Sequence, residues 1–170
     1  MRSIQVLLSA GAAMALLGCT DPLKEAAIIE LGGEDPAIPA GPLHRAGQPC
    51  LLCHDGGVTT PFSVAGTIHR LADAPVAAGG VVVSLVDKRG VTFEAATNCA
   101  GNFFVRPGDF TPEYPMWVTI ERGEWRQEME SPVNGDGSCA TCHTSETGTR
   151  SAGQVYILPF ELGPEEAGCP

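Results

Sequence analysis

Two five-residue segments, CLLCH at 50–54 and CATCH at 139–143, each place two cysteines three positions apart with a histidine directly after the second. Several chemistries use such a set. Two thiols can add to the vinyl groups of a haem as thioethers while the adjacent histidine ligates iron, the c-type attachment pattern. Four thiolates can instead enclose a tetrahedral zinc ion, which leaves the histidines without a task. Each pair can also close as a disulfide, or one can act as a thioredoxin-like redox couple. The couple needs a βαβ surround that neither segment has. Zinc requires thiolates kept reduced during export and gives no reason for a histidine after both pairs. With four histidines in 170 residues, two such placements by chance have odds on the order of one in a thousand. The expectation is two c-type haems held by Cys50, Cys53, Cys139 and Cys142, with His54 and His143 as proximal iron ligands.

Each iron then needs a sixth group. The histidines left over are His44 and His69, one for each haem. In the segment Phe62 to His69, strand alternation sets Phe62, Val64 and Ile68 on one face and turns His69 to the other, with Ser63, Ala65 and Thr67. Met116 shares parity with Val118 and Ile120, and Met129 with Trp125, so both methionines read as core. His44 and His69 are therefore the candidate distal iron ligands. Phe104 and Trp117 face away from Val105 and Val118, where either ring can lie over a haem plane or pack under a loop.

These sites have to be carried by something exported. Residues 1–18, MRSIQVLLSAGAAMALLG, place Arg2 before an apolar run too short to span a bilayer, as in a signal peptide. Its end, Leu16-Leu17-Gly18-Cys19, resembles a bacterial lipobox, and the resemblance implies cleavage before Cys19 and lipid on its sulfur. Thr20 after that cysteine resembles lipoproteins sent to the outer membrane, which puts the domain in the periplasm or at the cell surface. Removing residues 1–18 takes away Arg2 and no acid, so the formal charge of −10 becomes −11. Nucleic acid is disfavoured as a partner, and so are anionic head groups; basic redox proteins of the envelope suit such a surface. Of the seven cysteines, one is spent on lipid and four on haem, leaving Cys99 and Cys169 as an expected disulfide.

Residues 19–42, rich in Ala, Pro, Gly and acid, read as a lipid-anchored flexible tether with one or two helical turns. The domain proper is 43–170. Its texture from Phe62 onward is short β-branched and aromatic runs separated by turn residues, with candidate strands at Phe62–Ile68, Val81–Asp87, Thr92–Thr97, Asn102–Arg106, Met116–Arg122, Trp125–Met129 and Gln154–Leu158. Seven strands so spaced predict an all-β, antiparallel sandwich flanked by the two CxxCH loops. The stretch VAGTIHRLADAPVAAGGVVVSLVDKRGVTFEAATNCAGNFFV, with its Gly-Thr strand, Ala-Pro-Val loop, valine-rich strand ending in Asp and Thr-Asn-x-x-Gly-x-Phe entry, resembles the carboxypeptidase regulatory-like (transthyretin-like) β-sandwich family. The likeness covers about Phe62 to Glu130. It implies an accessory scaffold without catalytic residues.

No Walker A loop, dinucleotide fingerprint, H-E-x-x-H motif or nucleophile–base–acid set occurs in the chain. Two function classes follow from this. The first is a lipid-anchored dihaem c-type cytochrome passing single electrons in the bacterial envelope, a carrier and not an enzyme. The alternative is a non-catalytic sandwich module for carbohydrate or protein, its CxxC pairs binding zinc or closing as disulfides.

Overall fold

The computed structural model describes residues 21–157, apart from 58, 73, 75 and 150, together with Cys169. Residues 1–18 and Cys19, the expected signal and lipidation site, lie outside them. Among the described residues are two short helices, α1 (Pro22–Glu30) and α2 (Cys50–Cys53), and eight strands: β1 (Val64–Thr67), β2 (Val82–Val86), β3 (Thr92–Ala96), β4 (Asn102–Val105), β5 (Trp117–Arg122), β6 (Trp125–Glu128), β7 (Thr147–Gly148) and β8 (Ser151–Ala152).

The strands form an all-β, antiparallel sandwich. One layer is the sheet β3, β2, β5, β6; the other is the pair β1 and β4; β7 and β8 make a separate hairpin. Alternation explains the layers. Val83 and Leu85 of β2 and Val118 and Ile120 of β5 are buried, while their neighbours Val82, Ser84 and Thr119 are half-exposed. These inward side chains meet Val64, Phe103 and Val105 of the second layer, and Ile68, Met116 and Ile157 complete the core.

Turn chemistry fixes the connections. Buried Asp87 ends β2 and accepts hydrogen bonds from the amides of Arg89 at 2.8 Å, Val91 at 2.9 Å and Glu113 at 3.4 Å. Burial pushes its carboxyl up, but these amides and the Arg89 guanidinium outweigh burial and hold it below the ordinary aspartate value. A carboxyl lowered on folding stabilises fully above its unfolded pKa, and that contribution disappears as pH falls through the folded one. Denaturant midpoints measured from about pH 5 down to pH 2 should therefore fall, and less steeply in Asp87→Asn. Equal slopes would refute this role. Gly101, between β3 and β4, has φ +76°, and a Cβ there would lie 2.3 Å from the Ile68 carbonyl.

Six predicted strands are present, trimmed at their ends. The seventh, Gln154–Leu158, is not a strand in its described part. It is held beside His69 by the His69 amide to the Val155 carbonyl at 2.8 Å and the Ile157 amide to the His69 carbonyl at 3.0 Å.

The expected tether holds α1, nine residues long and so about two and a half turns. Asp21 caps it by accepting from the Leu23 amide at 3.0 Å, and Pro22 opens the first turn. None of its side chains is buried, but Lys24 pairs with Asp55, just past CLLCH. Farther along, Arg45 donates to the Gly32 carbonyl at 2.9 Å and pairs with Glu34 at 3.5 Å. Residues 21–42 thus fold back toward the first motif. No described helix is long and apolar enough to cross a membrane.

Candidate functional site

Each CxxCH segment is one helical turn. In α2 the His54 amide donates to the Cys50 carbonyl at 2.9 Å, and in the 3-10 turn Cys139–Thr141 the His143 amide donates to the Cys139 carbonyl at the same 2.9 Å. Positions i, i+3 and i+4 of such a turn lie on one side, so two thiols and an imidazole are presented together. Asp136 braces the second turn, accepting from the Ser138 amide at 2.8 Å and the Thr141 hydroxyl at 2.6 Å.

Both imidazoles are oriented in the same way. His54 Nδ1 donates to the Thr60 carbonyl at 2.7 Å, and His143 Nδ1 donates to the Gly153 carbonyl at 2.9 Å. A ring nitrogen facing a carbonyl must carry the proton, which leaves the Nε2 lone pair of each ring available to a metal. The β7–β8 hairpin supplies the Gly153 carbonyl and is pinned by the Ala152 amide to the Cys142 carbonyl at 3.0 Å. Sequence reading missed Thr60 and Gly153, since a backbone oxygen carries no residue-type signal.

The first motif opens on a cavity of about 590 Å³ lined by Cys50, Cys53, His54, His44, Phe62 and Phe104, with Arg45 and Arg106 among its other walls. The His44 ring faces that of His54, centroids 5.9 Å apart and planes 30° from parallel. His44 Nδ1 is engaged by Gly41. Phe62 stacks on His54 at 4.2 Å, and Phe104 on Phe62 at 4.8 Å. This corrects the face assigned to Phe62: β1 begins only at Val64, after a bend at Ser63, so strand parity does not extend back to it. Of the two outward aromatic residues, Phe104 belongs to the cavity; Trp117 is 46% exposed on β5 and lines neither cavity.

The second motif borders a smaller cavity of about 220 Å³, where Cys139 and His143 meet Met129, Gln127 and Tyr156. Cys142 stays exposed. Met129 is packed at the edge of the core, as its parity predicts, but also borders this cavity. Met116 is fully buried.

His69 lines neither cavity. It is 5% exposed, its ring lies where a Cβ on Gly47 would stand 3.7 Å from Nε2, and its Nδ1 has no hydrogen-bond partner among the described residues. Burial alone pushes its pKa below the usual histidine value. Of the two expected distal histidines, only His44 is brought opposite a motif histidine.

β1 contacts both motifs. The Gly47 amide donates to Thr67 Oγ1 at 2.8 Å on the face that carries Ala65 and Thr67. On the other face, a Cβ at Gly66 would stand 2.7 Å from both Cβ and Sγ of Cys139, so only glycine leaves room for the second turn.

Cys50, Cys53, Cys139 and Cys142 are all free thiols, while Cys99 and Cys169 form a disulfide with Cα atoms 5.1 Å apart, the pair predicted by the cysteine count. Cys139 keeps part of its surface at the rim, yet burial of its thiol, then the neighbouring charges of Cys50 and Asp136, push it up to about 12. Burial likewise raises Cys50. A thioredoxin-like couple needs the opposite shift. Among the described residues, no three His, Cys, Asp or Glu side chains converge as a metal cluster. Haem attachment asks for less: two thiols per ring and one or two axial groups.

No protein-family model, curated protein or solved structure matches this chain.

Proposed function

We propose that this chain is a lipid-anchored dihaem c-type cytochrome, a carrier of single electrons in the bacterial envelope and not an enzyme. The observation that supports this best is the repeated turn: two free thiols and a histidine on one side, with Nδ1 tied to a carbonyl and Nε2 left over, at both motifs. Metal-binding histidines are characteristically held in this way. At the first motif a second histidine, His44, lines the same cavity as His54, their ring centroids 5.9 Å apart.

The residues divide the work. Cys50 and Cys53, and Cys139 and Cys142, would each hold a haem as thioethers, a thiol S–H adding across a vinyl double bond, sulfur to one carbon and hydrogen to the other, with no oxidant consumed. His54 and His143 would supply imidazole nitrogen to iron, and His44 a second nitrogen at the first site. Phe62 and Phe104 extend an aromatic wall from His54 and exclude water from that side. Arg45 and Arg106 offer cations to any carboxylate entering the same cavity. When bound, haem iron gains and loses one electron between ferric and ferrous states at a potential set by its axial groups, burial and neighbouring hydrogen bonds. The strands of the sandwich serve as a rigid frame, in keeping with the resemblance to carboxypeptidase regulatory-like domains. Both turns pack on β1, which holds the two sites close together. The acidic surface favours basic redox partner proteins. The lipobox reading assigns Cys19 to a lipid anchor, with the outer membrane as its expected destination and the domain in the periplasm or at the cell surface.

Expression with a c-type haem maturation system tests the reading. Intact mass should show two covalently attached haems, and the reduced protein should give a low-spin ferrous spectrum. Bound zinc, or an apo-protein whose CxxC pairs are disulfides, would overturn it in favour of the binding-module alternative.

A further inference from the structure

The two sites differ in what stands opposite the proximal histidine. At the first, His44 faces His54. At the second, no other histidine borders the cavity that holds Cys139 and His143; His44 lines the first cavity, and His69 lies against Gly47 outside both. A methionine does border it, Met129. We propose that Met129 is the sixth iron ligand at the second motif, so that the two haems are chemically unequal. This rests on the cytochrome reading and adds to it.

Three features favour Met129 over its neighbours. Its backbone is fixed where β6 ends, the amide donating to the Val118 carbonyl at 3.1 Å, while its side chain has three rotatable bonds with which to adjust. Gln127, on the same face of that strand, and Tyr156 offer harder oxygen donors, whereas a neutral thioether is a soft ligand of the kind haem iron accepts opposite histidine. Met116, the other described methionine, is 1% exposed in the core and borders neither cavity.

A methionine–histidine pair raises a haem potential relative to two histidines. An electron arriving at the His44–His54 site would therefore run downhill to the His143–Met129 site, which gives the chain a direction.

The test uses the full-length, haem-loaded protein and its Met129→Leu and His69→Ala variants, with reductive titration and far-red absorption of the ferric state. Wild type should carry the thioether–iron charge-transfer band at the strength of one haem. Met129→Leu should lose the band and lower the higher of the two potentials, with unchanged haem mass; His69→Ala should keep both features. Two attached haems without the band in wild type, or a band that survives Met129→Leu, would overturn the assignment while leaving the cytochrome reading intact. Failure to attach haem would overturn both. The wild-type spectrum decides even if the leucine variant does not fold.

Discussion

Replacing Cys169 with serine should lower the free energy of unfolding substantially. The Cys99–Cys169 bridge closes a loop with a sequence separation of 70 residues, and removing a cross-link of that span frees denatured-chain entropy equivalent to about 4 kcal/mol. The Cα atoms stand at 5.1 Å, within the ordinary range, so the bridge asks for no backbone displacement. The effect reaches the first cavity as well. The turn that carries Cys99 also holds Asn98, whose side-chain amide donates to the Pro42 carbonyl at 2.7 Å, and leads into Asn102, which donates to the His44 carbonyl at 3.2 Å. Guanidinium unfolding of the oxidised protein against Cys169→Ser, Cys99→Ser and the double variant provides the measurement. The single losses should match, and the double should lose no more than either. An unchanged midpoint in Cys169→Ser would refute the assigned role.

The second large effect concerns His44. On the cytochrome reading, His44→Ala leaves all four attachment cysteines in place, so the haem mass should not change. One of the two haems should become high-spin in the ferric state, because the cavity wall opposite His54 no longer offers a nitrogen. Added imidazole should restore the low-spin signal. A purely structural role for His44 would leave the spin state unaltered or reduce attachment, and neither would respond to imidazole. A fully low-spin His44→Ala protein would rule out the first-site assignment.

Much of the frame was legible because it rests on local patterns. The valine-rich run of β2, and turn residues such as Lys88-Arg89-Gly90, place strands within a residue or two, and the cysteine count isolates Cys99 and Cys169 as a pair. What escaped is non-local. Parity says which side of a strand a residue takes but not what covers that side, so His69 leaves the core face and is still buried, beneath the loop around Gly47. Met129 reads as core for the same reason and is found between the core and a cavity. Phe62 was assigned to a strand because the run of apolar residues continues through Ser63, where the backbone bends. The Gln154–Leu158 run has a strand's composition, yet its described part pairs, among the described residues, with the backbone of His69 alone. The CxxCH turns themselves were fully legible as motifs, and their docking on one strand, β1, was not.

That placement makes β1 and its flanking residues a two-channel reporter in hydrogen exchange. The amides of Ser63 and Ile68 donate to Val105 at 2.8 Å and Gly101 at 2.9 Å, toward β4 and the turn before it. The amides of Ala65 and His69 donate to Gly137 at 2.9 Å and Val155 at 2.8 Å, on either side of the CATCH segment. Loss of protection at Ser63 and Ile68 would mark opening of the sandwich. Loss confined to Ala65 and His69 would mark release of the second motif alone, so one short stretch of backbone timestamps the two events separately.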